Sequence, residues 1–207
     1  KYRLDKIKKE KNSDLCFSAD LSDYDKLWNI LEEIGSKIVC CKIHFDIIEE
    51  GYRETFKKNI IESSINHNFL IIEDRKFNDI SHIVKLQYKP FETWVDLITV
   101  HANVSSEVVK CLSGVLLVAN MSNNDYDFSP RAETLALQNR KNVIGFITQK
   151  RLHKDFICMT PGISLTNNMI GDQKYRKVNE VDTDFKIIGR AIYNSENLKD
   201  NINKFLN

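Results

Sequence analysis

Short apolar runs recur along the chain, and stretches with helical spacing of apolar residues separate them. Runs of this kind, buried on both faces and joined by helices, are typical of parallel strands in an α/β protein. The predicted strands are Leu15–Asp20, Lys37–Ile43, Phe69–Asp74, Val95–His101, Val115–Ala119, Asn142–Ile147, Phe156–Thr160 and Phe185–Arg190. Eight such strands alternating with helices predict a single-domain (β/α)8 TIM barrel.

The stretches between the runs predict helices, and several of them carry capping or terminating residues. Ser22 can cap the helix that Gly35 ends. Pro90 stops a second helix, and Pro130 opens another near its first turn, where proline is tolerated. The helices predicted after the first are Tyr52–Asn66, Asp79–Tyr88, Val104–Leu112, the one that opens near Pro130, and Glu196–Leu206.

The first residues of the chain are strongly basic, with six lysines or arginines between Lys1 and Asp14. Tyr2, Leu4 and Ile7 stand at near-helical spacing. Two interpretations remain open: a helix laid across the bottom of the barrel, or a linker from a fused upstream domain. We therefore predict an N-terminal helix or linker over residues 1–13 and the barrel over residues 14–207.

Composition narrows the class of protein but not its chemistry. Among 207 residues, 42% are hydrophobic and 29% charged, as in an ordinary globular domain. The 30 basic and 29 acidic residues nearly balance, so no electrostatic signature of nucleic acid or membrane binding is present. No apolar run approaches the ~18 residues that a membrane helix needs.

The cysteines indicate a reducing compartment. There are five, an odd number, and most lie in apolar runs, where cysteine acts as a small hydrophobic residue. They lack the short paired spacing that zinc requires. We therefore expect a cytoplasmic location and no structural metal.

Ionisable residues gather where predicted strands end, which is where TIM barrels carry their chemistry. Strand alternation places Lys42, His44 and Asp46 on one face, where a barrel lining should be apolar. Asp74 ends the third predicted strand and begins a second cluster, residues 74–79, which includes Lys76. A purely structural interpretation exists: a strand-to-helix turn with Asp79 as cap and Lys76 in solvent, and His44 as a satisfied core histidine. Two such clusters together favour a functional site.

Several segments together resemble orotidine 5′-phosphate decarboxylases, most closely those of eukaryotic type. The segments are LCFSADLS (15–22), KIHFDII (42–48), HNFLIIEDRKFNDI (67–80), VKLQY (84–88), MTPGI (159–163), DQKY (172–175) and IIGRAI (187–192). The resemblance spans residues 14 to about 193. It implies conversion of orotidine 5′-phosphate to uridine 5′-phosphate without metal or cofactor, by a homodimer with a shared active site. It also implies a possible fused or associated orotate phosphoribosyltransferase.

The resemblance assigns catalytic roles to an alternating charge tetrad, Lys42, Asp74, Lys76 and Asp79, with Asp79 donated by the partner subunit. Lys76 would stabilise the carbanion and then protonate it. The implied substrate-binding residues are Ser18, Ser122 and Pro161 for the base, Asp20 with Lys42 for the ribose, Gln173, Tyr175, Gly189 and Arg190 for the phosphate, and His44 as support for the lysines.

The chain departs from the family pattern at three places. Where the family has Ile-Gly-Asn-Thr, residues 80–83 read Ile-Ser-His-Ile. The resemblance implies that the threonine hydroxyl contacts the ribose, and Ile83 cannot make this hydrogen bond, which is worth ~1 kcal/mol. The loop at residues 123–129 is short, and Thr99–Ala102 replaces Asn-Ala-His-Gly. Two alternatives stay open: an impaired or inactive nucleotide-binding homologue, and a metal-dependent sugar-phosphate lyase that shares the Asp-x-Lys-x-x-Asp pattern.

Overall fold

Eight parallel strands close into one barrel in the computed structural model, which describes residues 1–122, 127–165, 169–170 and 173–206. Each strand pairs with its neighbours in chain order. The first strand also pairs with the last, with Leu15 opposite Lys186, which closes the barrel. The barrel strands are Leu15–Ser18, Cys40–Ile43, Leu70–Phe77, Leu97–His101, Val115–Val118, Val143–Ile147, Ile157–Thr160 and Phe185–Ile188. All eight predicted strands are present, and the predicted fold class is confirmed.

Most of the predicted strand boundaries differ from the observed ones by one to three residues, and two of the differences at the mouth of the barrel affect the site. The third strand continues past Asp74 to Phe77 through an irregular segment. The eighth strand ends at Ile188, because Gly189 turns the chain into a short helix, Arg190–Tyr193. A Cβ on Gly189 would lie 3.1 Å from the carbonyl oxygen of Ser18, so a larger residue here would require this close contact to shift by a few tenths of an ångström.

The helices surround the barrel, although they do not follow every strand. They are Tyr2–Lys11, Tyr24–Ile34, Arg53–His67, Ser81–Tyr88, Ser106–Lys110, Ser129–Gln138, Arg190–Tyr193 and Leu198–Asn203. Asp23, rather than the predicted Ser22, caps the second of these by accepting a hydrogen bond from the Lys26 N–H. Residues 148–156, between the sixth and seventh strands, contain no helix.

Short strand pairs and 3-10 turns fill the remaining connections. Between the seventh and eighth barrel strands, Ile163–Ser164 pairs with Arg176–Lys177, and Met169–Ile170 pairs with Gln173–Lys174. These pairs lie on the connection that follows the seventh strand, at the mouth of the barrel. The 3-10 turns are Gly35–Lys37, Phe45–Ile47, Glu50–Tyr52 and Val178–Glu180.

The N-terminal helix lies against the interior of the barrel. Its Leu4 and Ile7 are buried in the same apolar cluster as strand residues such as Cys16 and Leu70. The Lys11 ammonium donates hydrogen bonds to three carbonyl oxygens, at 2.6 to 3.0 Å, of Gly35, Ile38 and His67. This helix therefore closes one end of the barrel and leaves the other end for chemistry. Among the described residues, no helix is both long enough and apolar enough to cross a membrane.

Candidate active site

A cavity of about 310 Å³ opens at the carboxyl ends of the barrel strands. Most of the residues that the sequence singles out line it, even though they come from elements far apart in the chain. The predicted site residues that line the cavity are Ser18, Asp20, Lys42, His44, Asp74, Lys76, Ser122, Pro161, Tyr175, Gly189 and Arg190. The fold therefore brings eleven of the thirteen candidates to one place.

Asp74 lies at the centre of the charged part of the cavity. Its Oδ2 is 2.5 Å from the Lys42 Nζ and 2.8 Å from the Lys76 Nζ. The His44 Nε2 is 3.3 Å from the same oxygen. Lys42 also approaches Asp20, with its Nζ 3.5 Å from Oδ1. Positive and negative groups thus alternate along the cavity, from Asp20 through Lys42 and Asp74 to Lys76.

The buried ion pairs hold these groups in their charged forms. Burial by itself would raise the pKa of Asp74, but Lys42, Lys76 and His44 outweigh it and hold the pKa well below its usual range. Burial would likewise lower the pKa of Lys42, yet Asp74 and Asp20 raise it above its usual value. The Lys42 ammonium and the Asp74 carboxylate are therefore fixed charges at neutral pH.

His44 is the neutral member of this cluster. Burial, followed by the positive charge of Lys42, lowers the pKa of the His44 imidazole. Its Nε2 is 3.4 Å from the Lys42 Nζ and 3.5 Å from Asp20 Oδ1. Asp20 is held in turn by the Ser18 hydroxyl, which donates to it at 2.9 Å. His44 therefore adds hydrogen bonding to the network without adding a third positive charge.

Asp74 and Lys76, two residues apart, already share one side of the third strand, and a bulge at this point changes the direction of the backbone. The register with the fourth strand shifts between Glu73 and Phe77, and Lys76 has a positive φ of 51°. Bulges next to active sites commonly redirect side chains in this way. The Lys76 ammonium consequently points into the cavity and is only partly shielded, with 29% of its side chain exposed.

Two candidates are not placed in the cavity. Asp79 is exposed, and its Oδ1 accepts a hydrogen bond from the Ile80 N–H at 2.7 Å. It thus lies outside the cavity of its own chain. The side chain of Gln173 lies outside the described residues, so its predicted contact with phosphate stays a prediction.

The cavity also contains residues that the sequence did not single out. The polar ones are Asn120, which directly follows the fifth predicted strand, and Tyr193, on the helix after the eighth. The position of Asn120 at a strand end was the signal that could have identified it. The apolar lining comprises Val118, Met121, Ile147, Gly162, Ile163 and Ile187.

No group of three or more histidine, cysteine, aspartate or glutamate side chains within the described ranges has the arrangement of a metal site. In the cavity, lysine ammonium groups occupy the positions beside Asp74 and Asp20 that a cation would take. The arrangement can therefore stabilise negative charge on a bound molecule directly, through fixed ammonium groups in a partly buried pocket.

Comparison with known proteins gives consistent matches. Residues 13–205 match the model of the Orotidine 5′-phosphate decarboxylase / HUMPS family. The chain is 34% identical to an orotidine 5′-phosphate decarboxylase of Pichia kudriavzevii, over 92% of this chain and 84% of that protein. It is 36% identical to a uridine 5′-monophosphate synthase of Naegleria gruberi, over 94% of this chain but only 45% of that protein.

A solved structure supports the fold. The crystal structure of orotidine 5′-monophosphate decarboxylase from Methanocaldococcus jannaschii, complexed with the inhibitor BMP, superposes with a TM-score of 0.71. The match covers 94% of this chain and 99% of that one, at 24% identity. At that identity the likeness establishes the barrel architecture and nothing finer.

Proposed function

The chain belongs to the Orotidine 5′-phosphate decarboxylase / HUMPS family, and on this basis we propose that its cavity converts orotidine 5′-phosphate into uridine 5′-phosphate and carbon dioxide. The observation that carries the proposal is the Lys42–Asp74–Lys76 cluster, in which two ammonium groups flank one buried carboxylate. The protein is accordingly a carboxy-lyase of pyrimidine nucleotide synthesis.

The reaction needs strong stabilisation of negative charge. When the bond between ring carbon 6 and the carboxylate breaks, the electron pair stays on carbon 6 and carbon dioxide leaves. The Lys76 ammonium stabilises this carbanion, donates a proton to carbon 6, and recovers a proton from solvent. Enzymes lower barriers by about 8–23 kcal/mol, and general acid catalysis alone supplies only ~10²–10⁴-fold. A preorganised ammonium is the effect of sufficient size.

Binding of the remaining substrate groups is assigned along the cavity wall. Asp20 and Lys42 would hold the ribose hydroxyls, and Ser122 with Pro161 would hold the base. Arg190 begins the short helix after Gly189, where its guanidinium can bind a phosphate. Because the phosphate is remote from carbon 6, its binding energy can hold the substrate in place during the reaction.

The decisive experiment follows orotidine 5′-phosphate by ultraviolet absorbance, with purified protein in EDTA and after addition of Mg²⁺. We expect the same rate of uridine 5′-phosphate formation under both conditions, because lysine ammonium groups, and not a metal ion, stabilise the carbanion. Activity that is lost in EDTA and restored by Mg²⁺ would favour the metal-dependent lyase instead.

A second candidate function is nucleotide binding without turnover, and one observation favours it. Ile83, on the helix Ser81–Tyr88, has no hydroxyl where the family carries threonine. The intact cluster around Asp74 opposes this candidate, since buried charges are expensive to retain unless they are paired. Binding of uridine 5′-phosphate with no conversion of orotidine 5′-phosphate would establish it.

The exposed position of Asp79 supports a homodimer in which each subunit completes the site of its partner. We expect Lys76→Ala and Asp79→Asn to be inactive alone. Mixed and reassociated, they should recover about one quarter of wild-type activity, because half of the dimers are hybrids with one intact site. No recovery from a mixture that sedimentation shows to contain hybrid dimers would contradict the shared site.

The location of the protein in the cell, and the source of its substrate, are also part of the proposal. The five cysteines are free thiols, four of them buried, which fits the cytoplasm. The chain spans 45% of the uridine 5′-monophosphate synthases that it matches. A fused or associated orotate phosphoribosyltransferase would supply the substrate, and the coding sequence upstream of Lys1 would reveal a fusion.

A further inference from the structure

Thr99, on the fourth strand, lies opposite the bulge that carries the active-site charges. Glu73 pairs with Ile98, and Phe77 pairs with Val100. Three residues of the third strand, 74–76, therefore face the single residue Thr99. The side chain of Thr99 is fully buried, with no exposed surface.

The Thr99 hydroxyl makes two hydrogen bonds at once. It donates to Asp74 Oδ1 at 2.8 Å and accepts from the Lys76 N–H at 2.9 Å. A hydroxyl is suited to this position because it carries one donor and also accepts. The other oxygen of Asp74, Oδ2, is the one that both lysines approach. Thr99 thus fixes the side chain of Asp74 from the side away from the ammonium groups.

The second hydrogen bond holds an unfavourable backbone conformation. Lys76 has a φ of 51°, in the left-handed region that lysine rarely adopts. Residues held in this region persist when the surrounding structure fixes them, and they cluster at active sites. The Thr99 hydroxyl binds the N–H of the very residue that has this conformation.

We propose that Thr99 is a positioning residue for the decarboxylation: its hydroxyl fixes the Asp74 carboxylate and the Lys76 backbone together, and so places the Lys76 ammonium in the cavity. The proposal rests on the proposed function, since it concerns the placement of the proton donor. It also accounts for one departure from the family pattern, because threonine at this position still offers a donor and an acceptor to the bulge.

The consequence is a specific kinetic pattern. Thr99 does not line the cavity, so its loss should leave substrate binding nearly unchanged. A displacement of about 1 Å in a reacting group can lower a rate about 100-fold. Thr99→Val keeps the shape of the side chain and removes the hydroxyl. We expect kcat to fall about 10- to 100-fold, with KM and the Kd for uridine 5′-phosphate changed less than about threefold.

Two further variants separate positioning from general packing. Thr99→Ser retains the hydroxyl and should restore kcat to within about threefold of wild type. Thr160→Val is the matched control, since Thr160 is equally buried in the seventh strand, but its hydroxyl has no hydrogen-bond partner among the described residues. It should leave kcat unchanged.

Several results would overturn the proposal. Thr99→Val with wild-type kcat, or with kcat no lower than that of Thr160→Val, would show that the hydroxyl does not position Lys76. If Thr99→Val does not fold, Thr99→Cys replaces it, because a thiol is a weak donor and acceptor. Equal loss of kcat in the serine and cysteine variants would then refute the proposal. Absence of turnover by the wild-type chain would instead refute the proposed function.

Discussion

The two faces of the third strand carry neighbouring buried carboxyl groups with opposite electrostatics. On the inner face, Asp74 is surrounded by Lys42, Lys76 and His44, and its pKa lies well below its usual range. On the outer face, Glu73 is fully buried, and burial raises its pKa to about 8. The comparison shows that burial alone does not determine the charge of a carboxyl group in this barrel; the presence of partner cations does.

The surroundings of Glu73 explain the difference. Its carboxyl accepts a hydrogen bond from the Phe45 N–H at 3.1 Å, which favours the ionised form. Desolvation, together with the negative charges of Asp46 and Asp74, outweighs this hydrogen bond and the more distant Lys42. Glu73 is thus protonated over part of the neutral pH range, whereas Asp74 stays ionised. Only the inner face offers a permanent charge for catalysis.

The two carboxyl groups also make opposite contributions to the pH dependence of stability. The pKa of Asp74 is lowered on folding, so its contribution is present above its usual value of 3.8 and is lost as the pH falls below it. The pKa of Glu73 is raised from 4.5 to about 8, so the folded state loses stability as the pH rises between those values. Removing each charge should therefore shift the free energy of unfolding in opposite directions.

The largest loss of stability is expected from Asp74→Asn. It removes the anion between two lysines and takes from the buried Lys42 ammonium its closest partner, which costs about 3–5 kcal/mol of stability. Turnover should also fall by at least about 100-fold, because the ammonium groups lose their common partner. Urea unfolding at pH 7 measures the stability, and absorbance measures turnover.

The control for Asp74→Asn is Glu107→Gln, which removes an ion pair of similar length, 2.8 Å to Lys110, on the exposed surface. That change should alter the free energy of unfolding by less than about 1 kcal/mol. Equal effects of the two substitutions would mean that the inner face of the strand is no different from the surface.

A change in stability with the opposite sign is expected from Glu73→Gln. Glutamine keeps an oxygen for the Phe45 N–H but cannot ionise. The variant should match wild type near pH 4.5 and become progressively more stable than wild type up to about pH 8, with no further change above that value. Thermal unfolding of both proteins at several pH values across this range measures the difference in stability. A constant difference between the two proteins at every pH would contradict the raised pKa of Glu73.

Much of this arrangement could be predicted from sequence. The β-rich runs located all eight strands, because a strand buried on both faces leaves a continuous apolar signature. Strand alternation placed Lys42 and His44 correctly on the inner face but was wrong for Asp46, which is exposed in the 3-10 turn Phe45–Ile47. Resemblance to a family was needed to associate Lys42 and His44 with Tyr175, which lies more than 100 residues further along the chain.

The bulge was beyond reach of pattern analysis. The end of the apolar run predicts that the third strand stops at Asp74. The strand instead continues to Phe77, with Lys76 in a left-handed conformation. That conformation depends on Thr99, from another strand, so no local signal encodes it. The difference in pKa between Glu73 and Asp74 could not be predicted either, because it depends on which charged groups lie near each carboxyl in the folded chain.

The central claim is that the Lys76 ammonium, held beside Asp74, supplies the charge and the proton for decarboxylation. The most direct measurement compares wild type and Lys76→Ala for turnover of orotidine 5′-phosphate and for binding of uridine 5′-phosphate. We predict a loss of turnover of at least about 1,000-fold, with nucleotide affinity within about tenfold of wild type and the fold retained. Turnover by a folded Lys76→Ala protein at a rate near that of wild type would contradict the account.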